Sequence, residues 1–119
     1  MNSIETKLSP LMSVNGALAA ALVDYNSGMM LGSIGTGLDL EIAAAGNTEV
    51  VRAKLKTIEM LQLNQDIDDI LITLTSQYHL IRPMDADRGL FIYYVLDSTK
   101  ANLALGRRAL QSLEGTISL

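Results

Sequence analysis

The sequence contains no cysteine and no tryptophan, and its 119 residues include one histidine, one phenylalanine and two prolines. The lack of cysteine excludes disulfide bonds, thiolate metal sites and a cysteine nucleophile. The single histidine, His79, would have to act alone as an imidazole base or metal ligand, and we interpret it as structural. The range of chemistry open to the chain is therefore narrow.

Basic residues are also scarce, since nine Lys and Arg stand against thirteen Asp and Glu and the net charge is −4. Proteins that bind nucleic acids concentrate positive charge in order to displace the counterions of phosphate groups. We therefore expect no nucleic-acid partner for this chain.

Long apolar runs are missing as well. The longest ones, Ala17–Val23 and Leu90–Leu96, are far shorter than the ~20 residues needed to span a bilayer. Near the N-terminus, Glu5, Ser9 and Pro10 interrupt the apolar segment that a signal peptide would need. These patterns predict a cytoplasmic protein with no direct membrane insertion.

The composition nevertheless favours a folded chain. Hydrophobic residues make up 49% of the sequence and charged residues 18%, which provides enough apolar surface to offset the entropy lost on ordering. The length lies in the range of about 100 to 150 residues that is typical of one domain. Because no linker or repeat divides the chain, we predict a single domain over residues 1–119.

Apolar segments separated by turn residues predict the element order α-β-β-α-β-β-β-α. Hairpin-length connections between most neighbouring strands predict a mainly antiparallel, five-stranded sheet with helices on both faces, in the α/β (α+β) class. The predicted strands are Ala17–Val23, Met29–Ile34, Ile70–Leu74, Tyr78–Arg82 and Leu90–Leu96.

Candidate capping residues predict where the helices begin. Ser9 is expected to cap a short or kinked first helix, and Asp39 a long helix that continues to about residue 62. Asp97 or Ser98 is expected to cap the last helix. The apolar stripe of the long helix consists of Ala44, Val51, Leu55 and Ile58.

Two segments contain residue types that occur in phosphate-binding or metal-binding sites. The glycine-rich Gly32–Gly37 lies between a strand and a helix, but it lacks the lysine of a P-loop and is followed by Asp39, which would repel a phosphate. The run of Asp66, Asp68 and Asp69 lacks the spacing of an EF-hand, and we interpret it as a solvated entry into a strand. We therefore predict that the chain is not an enzyme and has no cofactor or metal.

The segment Ile70–Leu74 places Ile70, Ile72 and Leu74 on one face of a strand. If this strand lies at a sheet edge, its unpaired backbone invites another strand. A second core strand within a monomer is the alternative, and the composition does not separate the two.

Three short motifs in this order resemble the roadblock/dynein light chain family. They are the hairpin Leu22–Gly28, the segment Leu80–Pro83, and the pair Val95–Asp97 and Ala101–Arg107. The resemblance extends from about Leu8 to Leu113, with departures at Pro10 and at Gly106, where alanine is more typical.

This resemblance implies a roadblock/profilin-like fold, with the long helix on one face of the sheet and the terminal helices on the other. It also implies a dimer in which the third strand and the long helix meet their counterparts about a twofold axis. Family members act as light chains of motor complexes, as scaffolds, or in bacteria as regulators of small Ras-like GTPases. The residues that we assign to the dimer interface are Ala44, Val51, Leu55, Ile58, Ile70, Ile72 and Leu74.

The sequence therefore predicts a non-enzymatic homodimeric module that binds and regulates a small GTPase or a related signalling or motor complex. A PAS-like small-molecule sensor is the alternative, because such domains also place a helix between a hairpin and a three-stranded meander. Ligand pockets usually have a bulky lining, whereas this chain has one Phe and no Trp. The sequence does not name the partner, and it does not distinguish a homodimer from a heterodimer with a paralogue.

Overall fold

The computed structural model describes residues 3–84, 89–114 and 116–117. Five strands form one sheet, namely β1 (Ala17–Asp24), β2 (Met29–Gly35), β3 (Ile70–Thr73), β4 (Gln77–Pro83) and β5 (Leu90–Asp97). The helices are α1 (Ser3–Leu8), α2 (Leu40–Met60) and α3 (Leu103–Leu113), and a 3-10 segment at Ser9–Ser13 follows α1. The predicted fold class and element order are confirmed.

The strands lie in the order β2-β1-β5-β4-β3, and every neighbouring pair is antiparallel. The chain places β2 and β3 at the two edges and β1 and β5 in the centre. The central strand β5 is buried from Leu90 to Leu96, as expected for a continuously apolar strand covered on both faces.

Side chains of the strands alternate between two apolar cores, one on each face of the sheet. On one face, α3, α1 and the 3-10 segment contribute Leu110, Leu8 and Leu11 to the core. There the buried Tyr94 hydroxyl donates to the carbonyl of Leu11 at 2.6 Å, and burial raises the pKa of Tyr94 well above its usual value. On the other face, α2 packs on the alanines and aromatic residues of β1 and β5.

The prediction for the cap of α2 is confirmed, whereas that for the cap of α3 is wrong. The Asp39 side chain accepts a hydrogen bond from the backbone N–H of Ile42. Helix α3 begins later than expected, after Asn102, whose side chain accepts from the N–H of Leu105. Asp97 instead accepts from the backbone and hydroxyl of the residue two positions on, which closes a turn after β5.

Both departures from the roadblock pattern have a local structural reason. Pro10 lies in the first turn of the 3-10 segment, where its missing N–H is harmless, and the Ser9 hydroxyl donates to Thr6 instead of capping a helix. Gly106 is buried, and an added Cβ would lie 2.7 Å from a methyl group of Leu96. The glycine therefore allows α3 to lie close to the sheet. Among the described residues, none of the helices has both the length and the apolarity to cross a membrane.

Candidate interaction site

Within the part of the chain that the structure describes, the edge strand β3 has backbone groups without partners on its free side. A hydrogen bond of 2.8 Å from the N–H of Leu74 closes the hairpin to β4. Bonded and non-bonded pairs alternate along an antiparallel ladder, so Ile70 and Ile72 bond to β4. The N–H and C=O groups of Leu71 and Thr73 consequently point away from the sheet. This segment is thus an edge strand, not a central strand.

An apolar face adjoins this free edge. Ile70 and Ile72 lie on the same face of the sheet as α2 and pack against that core, yet both remain half exposed. The reason is that α2 packs mainly over β1 and β2, at the opposite side of the sheet. The face beside β3 is therefore less covered by this chain's own helices.

One flank of α2 faces this open area. The Asn47 side chain donates to the carbonyl of Ala43 and lies towards Tyr93 on β5, whereas Arg52 points the other way and donates to the carbonyl of Tyr25 in the β1–β2 hairpin at 2.7 Å. Helical geometry places Ala43, Val50 and Lys54 on the Asn47 side, with Gly46 farther round on the outer face. No atom lies within 4 Å of the position that a Cβ of Gly46 would take, although glycine within a helix costs about 1 kcal/mol relative to alanine. Among the described residues, therefore, no contact explains this glycine.

A line of hydrogen bonds crosses the same face. The hydroxyl of Tyr93 lies 2.9 Å from Nδ1 of His79, and Nε2 of His79 lies 2.8 Å from Oε1 of Gln77. Burial lowers the pKa of His79 and raises that of Tyr93. Both groups are therefore neutral near pH 7. The pattern assigns a proton to Nε2, which donates to Gln77, and leaves Nδ1 to accept from Tyr93.

The predicted interface residues do not form one surface. Ala44 and Val51 are 1% and 0% exposed because the apolar stripe of α2 covers the chain's own sheet, so neither presents a surface to a partner. The half-exposed members are Leu55, Ile58, Ile70 and Ile72, and Leu74 lies exposed just beyond β3. The dimer interface stays a prediction, but its α2 part moves from the apolar stripe to the Asn47 side of the helix.

Sequence reasoning missed a cluster of ion pairs at the start of β3. Arg82 is only 7% exposed, and its guanidinium lies 3.0 Å from Asp68 and 2.9 Å from Glu114. Arg107 donates two hydrogen bonds to Asp69, at 2.9 and 3.1 Å. The interpretation of this run as solvated holds for Asp68, whose side chain is 81% exposed, but is wrong for Asp69, which is 11% exposed; both residues attach the loop before β3, Asp68 to β4 and Asp69 to α3. The signal in the sequence was Arg82, a basic residue at the end of an otherwise apolar strand, which needs acidic partners when it is buried.

A surface cavity of about 350 Å³ lies beside Gly28, Met29, Met30 and Glu41. Ligand sites of comparable size bring several polar side chains together, whereas the described lining of this one has a single charged group. The cavity gives the sensor alternative no specific support.

Neither a protein-family model nor a curated protein matches the sequence. Solved structures do match: the Roadblock/LC7 domain from Streptomyces avermitilis has a TM-score of 0.82 and 14% identity, over 94% of this chain and 92% of that chain. MglB of Myxococcus xanthus has a TM-score of 0.74 and 15% identity, with 92% and 84% covered. An MglB structure with a tetrameric arrangement has a TM-score of 0.79 and 14% identity, with 93% and 82% covered. The chain therefore has the roadblock/LC7 fold, which confirms the resemblance found in its sequence.

Proposed function

We propose that the chain is a homodimeric interaction module without catalytic chemistry of its own, which binds and regulates a small Ras-like GTPase or a related signalling complex. The observation that carries this proposal is the free edge of β3 beside the half-exposed Ile70 and Ile72. The roadblock resemblance supplies the class of partner. The MglB structure with a tetrameric arrangement supports self-association through this fold.

In the proposed dimer, β3 of one copy pairs antiparallel with β3 of the other about a twofold axis. The outward N–H and C=O groups of Leu71 and Thr73 then find partners, which joins the two sheets and removes two exposed edges. The same axis brings the α2 flanks together over Ile70 and Ile72. Gly46 lies next to that flank on the outer face of α2, where the absence of a side chain permits close approach of a second helix.

The backbone part of this interface is tested by replacing Thr73 with proline. Proline cannot donate a hydrogen bond, and at this position the lost N–H points away from β4, so the fold of one copy is retained. Each dimer loses two donors, and we expect the dissociation constant to rise by at least about tenfold. Analytical ultracentrifugation over a range of protein concentrations measures this change.

The matched control is Thr73→Val, which keeps the N–H and the branched shape of the side chain. It is expected to leave the dissociation constant unchanged, with both variants showing the circular dichroism of the original chain. A Thr73→Pro variant that dimerises as tightly as Thr73→Val would contradict strand pairing at this edge.

Regulation of a GTPase requires a preference for one nucleotide state, because a ligand that binds both states equally shifts nothing. We therefore expect the protein to bind a candidate small GTPase differently when it is loaded with GDP or with a GTP analogue. Alone it is expected neither to bind nor to hydrolyse GTP, since Gly32–Gly37 lacks the lysine that holds phosphates. Calorimetric titration at fixed salt, paired with a hydrolysis assay, measures both. Equal affinities with an unchanged hydrolysis rate would leave only a passive scaffold.

A further inference from the structure

We propose that the association of two copies through the face beside β3 depends on pH, and that His79 is the group that switches it. This inference rests on the proposed dimer, because the face that holds His79 is the one that the second copy covers. His79 pairs in register with Ile72 on β3, and its ring packs edge-on against Tyr93 with centroids 5.4 Å apart. A polar group thus lies within an apolar contact area.

The hydrogen bonds of His79 are all satisfied by the neutral imidazole. Nδ1 accepts from the hydroxyl of Tyr93 and Nε2 donates to Gln77, so both ring nitrogens have partners. A proton added to Nδ1 turns this acceptor into a donor. The Tyr93 hydroxyl must then turn its own proton away from His79 or lose this bond. Protonation therefore disrupts the line of hydrogen bonds at the same time as it introduces a charge.

Among the residues that the structure describes, no carboxylate is hydrogen-bonded to His79; Asp97 on β5 lies on the same face, in register with Gln77, but accepts from Thr99. On β3 the opposite residue is Ile72, and on β5 the neighbours are Val95 and the neutral Tyr93. On α2 the nearest contact is through Asn47, and two turns later the same side carries Lys54, which is also basic. Burial beneath a second copy thus leaves a protonated imidazole without compensation.

The direction of the effect follows from linkage. Burial already lowers the pKa of His79 within one copy, and a second copy that covers the ring lowers it further. The dimer therefore favours the neutral ring, so the dissociation constant is low above the pKa and rises as the pH falls through it. Each dimer contains two copies of His79, so the dissociation constant changes by at most about a hundredfold per pH unit.

The test compares the original chain, without any histidine tag, with His79→Gln by analytical ultracentrifugation from about pH 8 to about pH 5.5 at constant ionic strength. Gln can accept from Tyr93 and donate to Gln77, but it does not titrate. We expect the dissociation constant of the original chain to rise by at least about tenfold across this range, and that of the variant to stay level. A dependence that persists in His79→Gln would overturn the proposal.

Because the chain has one histidine, its imidazole proton resonances report the pKa of His79 without any substitution. We expect this pKa to fall as the protein concentration rises, since association and deprotonation favour each other. A dimer whose dissociation constant does not change with pH, or a concentration-independent pKa, would overturn the switch and leave the proposed dimer intact. A monomer at every pH would overturn the dimer as well.

Discussion

Replacing Ile72 with glutamate is expected to convert the dimer into a folded monomer. In one copy Ile72 is half exposed, so a carboxylate there still reaches water. Under a second copy, two such carboxylates lie in a dry contact close to the twofold axis, which costs several kcal/mol. We expect the dissociation constant to rise by at least about a hundredfold, as measured by analytical ultracentrifugation.

Ile42→Glu is the matched control, because it places the same charge on another isoleucine. Ile42 is 71% exposed and lies in the first turn of α2, where a carboxylate suits the helix dipole. We expect this variant to dimerise as the original chain does. Equal dissociation by both substitutions would mean that net charge, rather than the face beside β3, controls association.

The second large effect is expected at Arg82. Its truncation to alanine removes a buried stem and leaves Asp68 and Glu114 without their shared cation. Both carboxylates are substantially exposed, so the loss of stability arises mainly from the missing buried side chain of Arg82. We expect the free energy of unfolding to fall by about 2 to 4 kcal/mol. Urea denaturation at one fixed protein concentration measures it, because dimerisation also contributes to stability.

Two companion variants separate packing from charge at this site. Among the described residues, the buried Nε of Arg82 has no hydrogen-bond partner, so the guanidinium carries a desolvation cost that a thioether would not. We therefore expect Arg82→Met to recover most of the stability that Arg82→Ala loses. Arg107→Ala leaves Asp69, whose side chain is only 11% exposed, without its cation, and should cost about 1 to 2 kcal/mol, still less than Arg82→Ala. A larger loss from Arg107→Ala than from Arg82→Ala would refute this ranking.

Local patterns in the sequence determined the element order, the two-sided burial of β5 and the cap of α2. Each of these features depends on residues that are neighbours along the chain. The burial of β5 follows from a run of seven apolar residues from Leu90 to Leu96, and the cap of α2 follows from Asp39, which accepts from the N–H three positions later. Backbone geometry makes such short-range effects nearly independent of the rest of the fold. The resemblance of three short motifs to the roadblock family then predicted how these elements are arranged in the fold.

Only the tertiary structure decided which surfaces are left for a partner. Periodicity identifies the apolar stripe of α2 but does not say whether it faces its own sheet or another chain, and Ala44 and Val51 proved to face the sheet. Asp68 and Arg82 are 14 positions apart, and Arg82 and Glu114 are 32 apart. Such contacts form because strand order and helix placement bring distant residues together, and no local pattern encodes that distance.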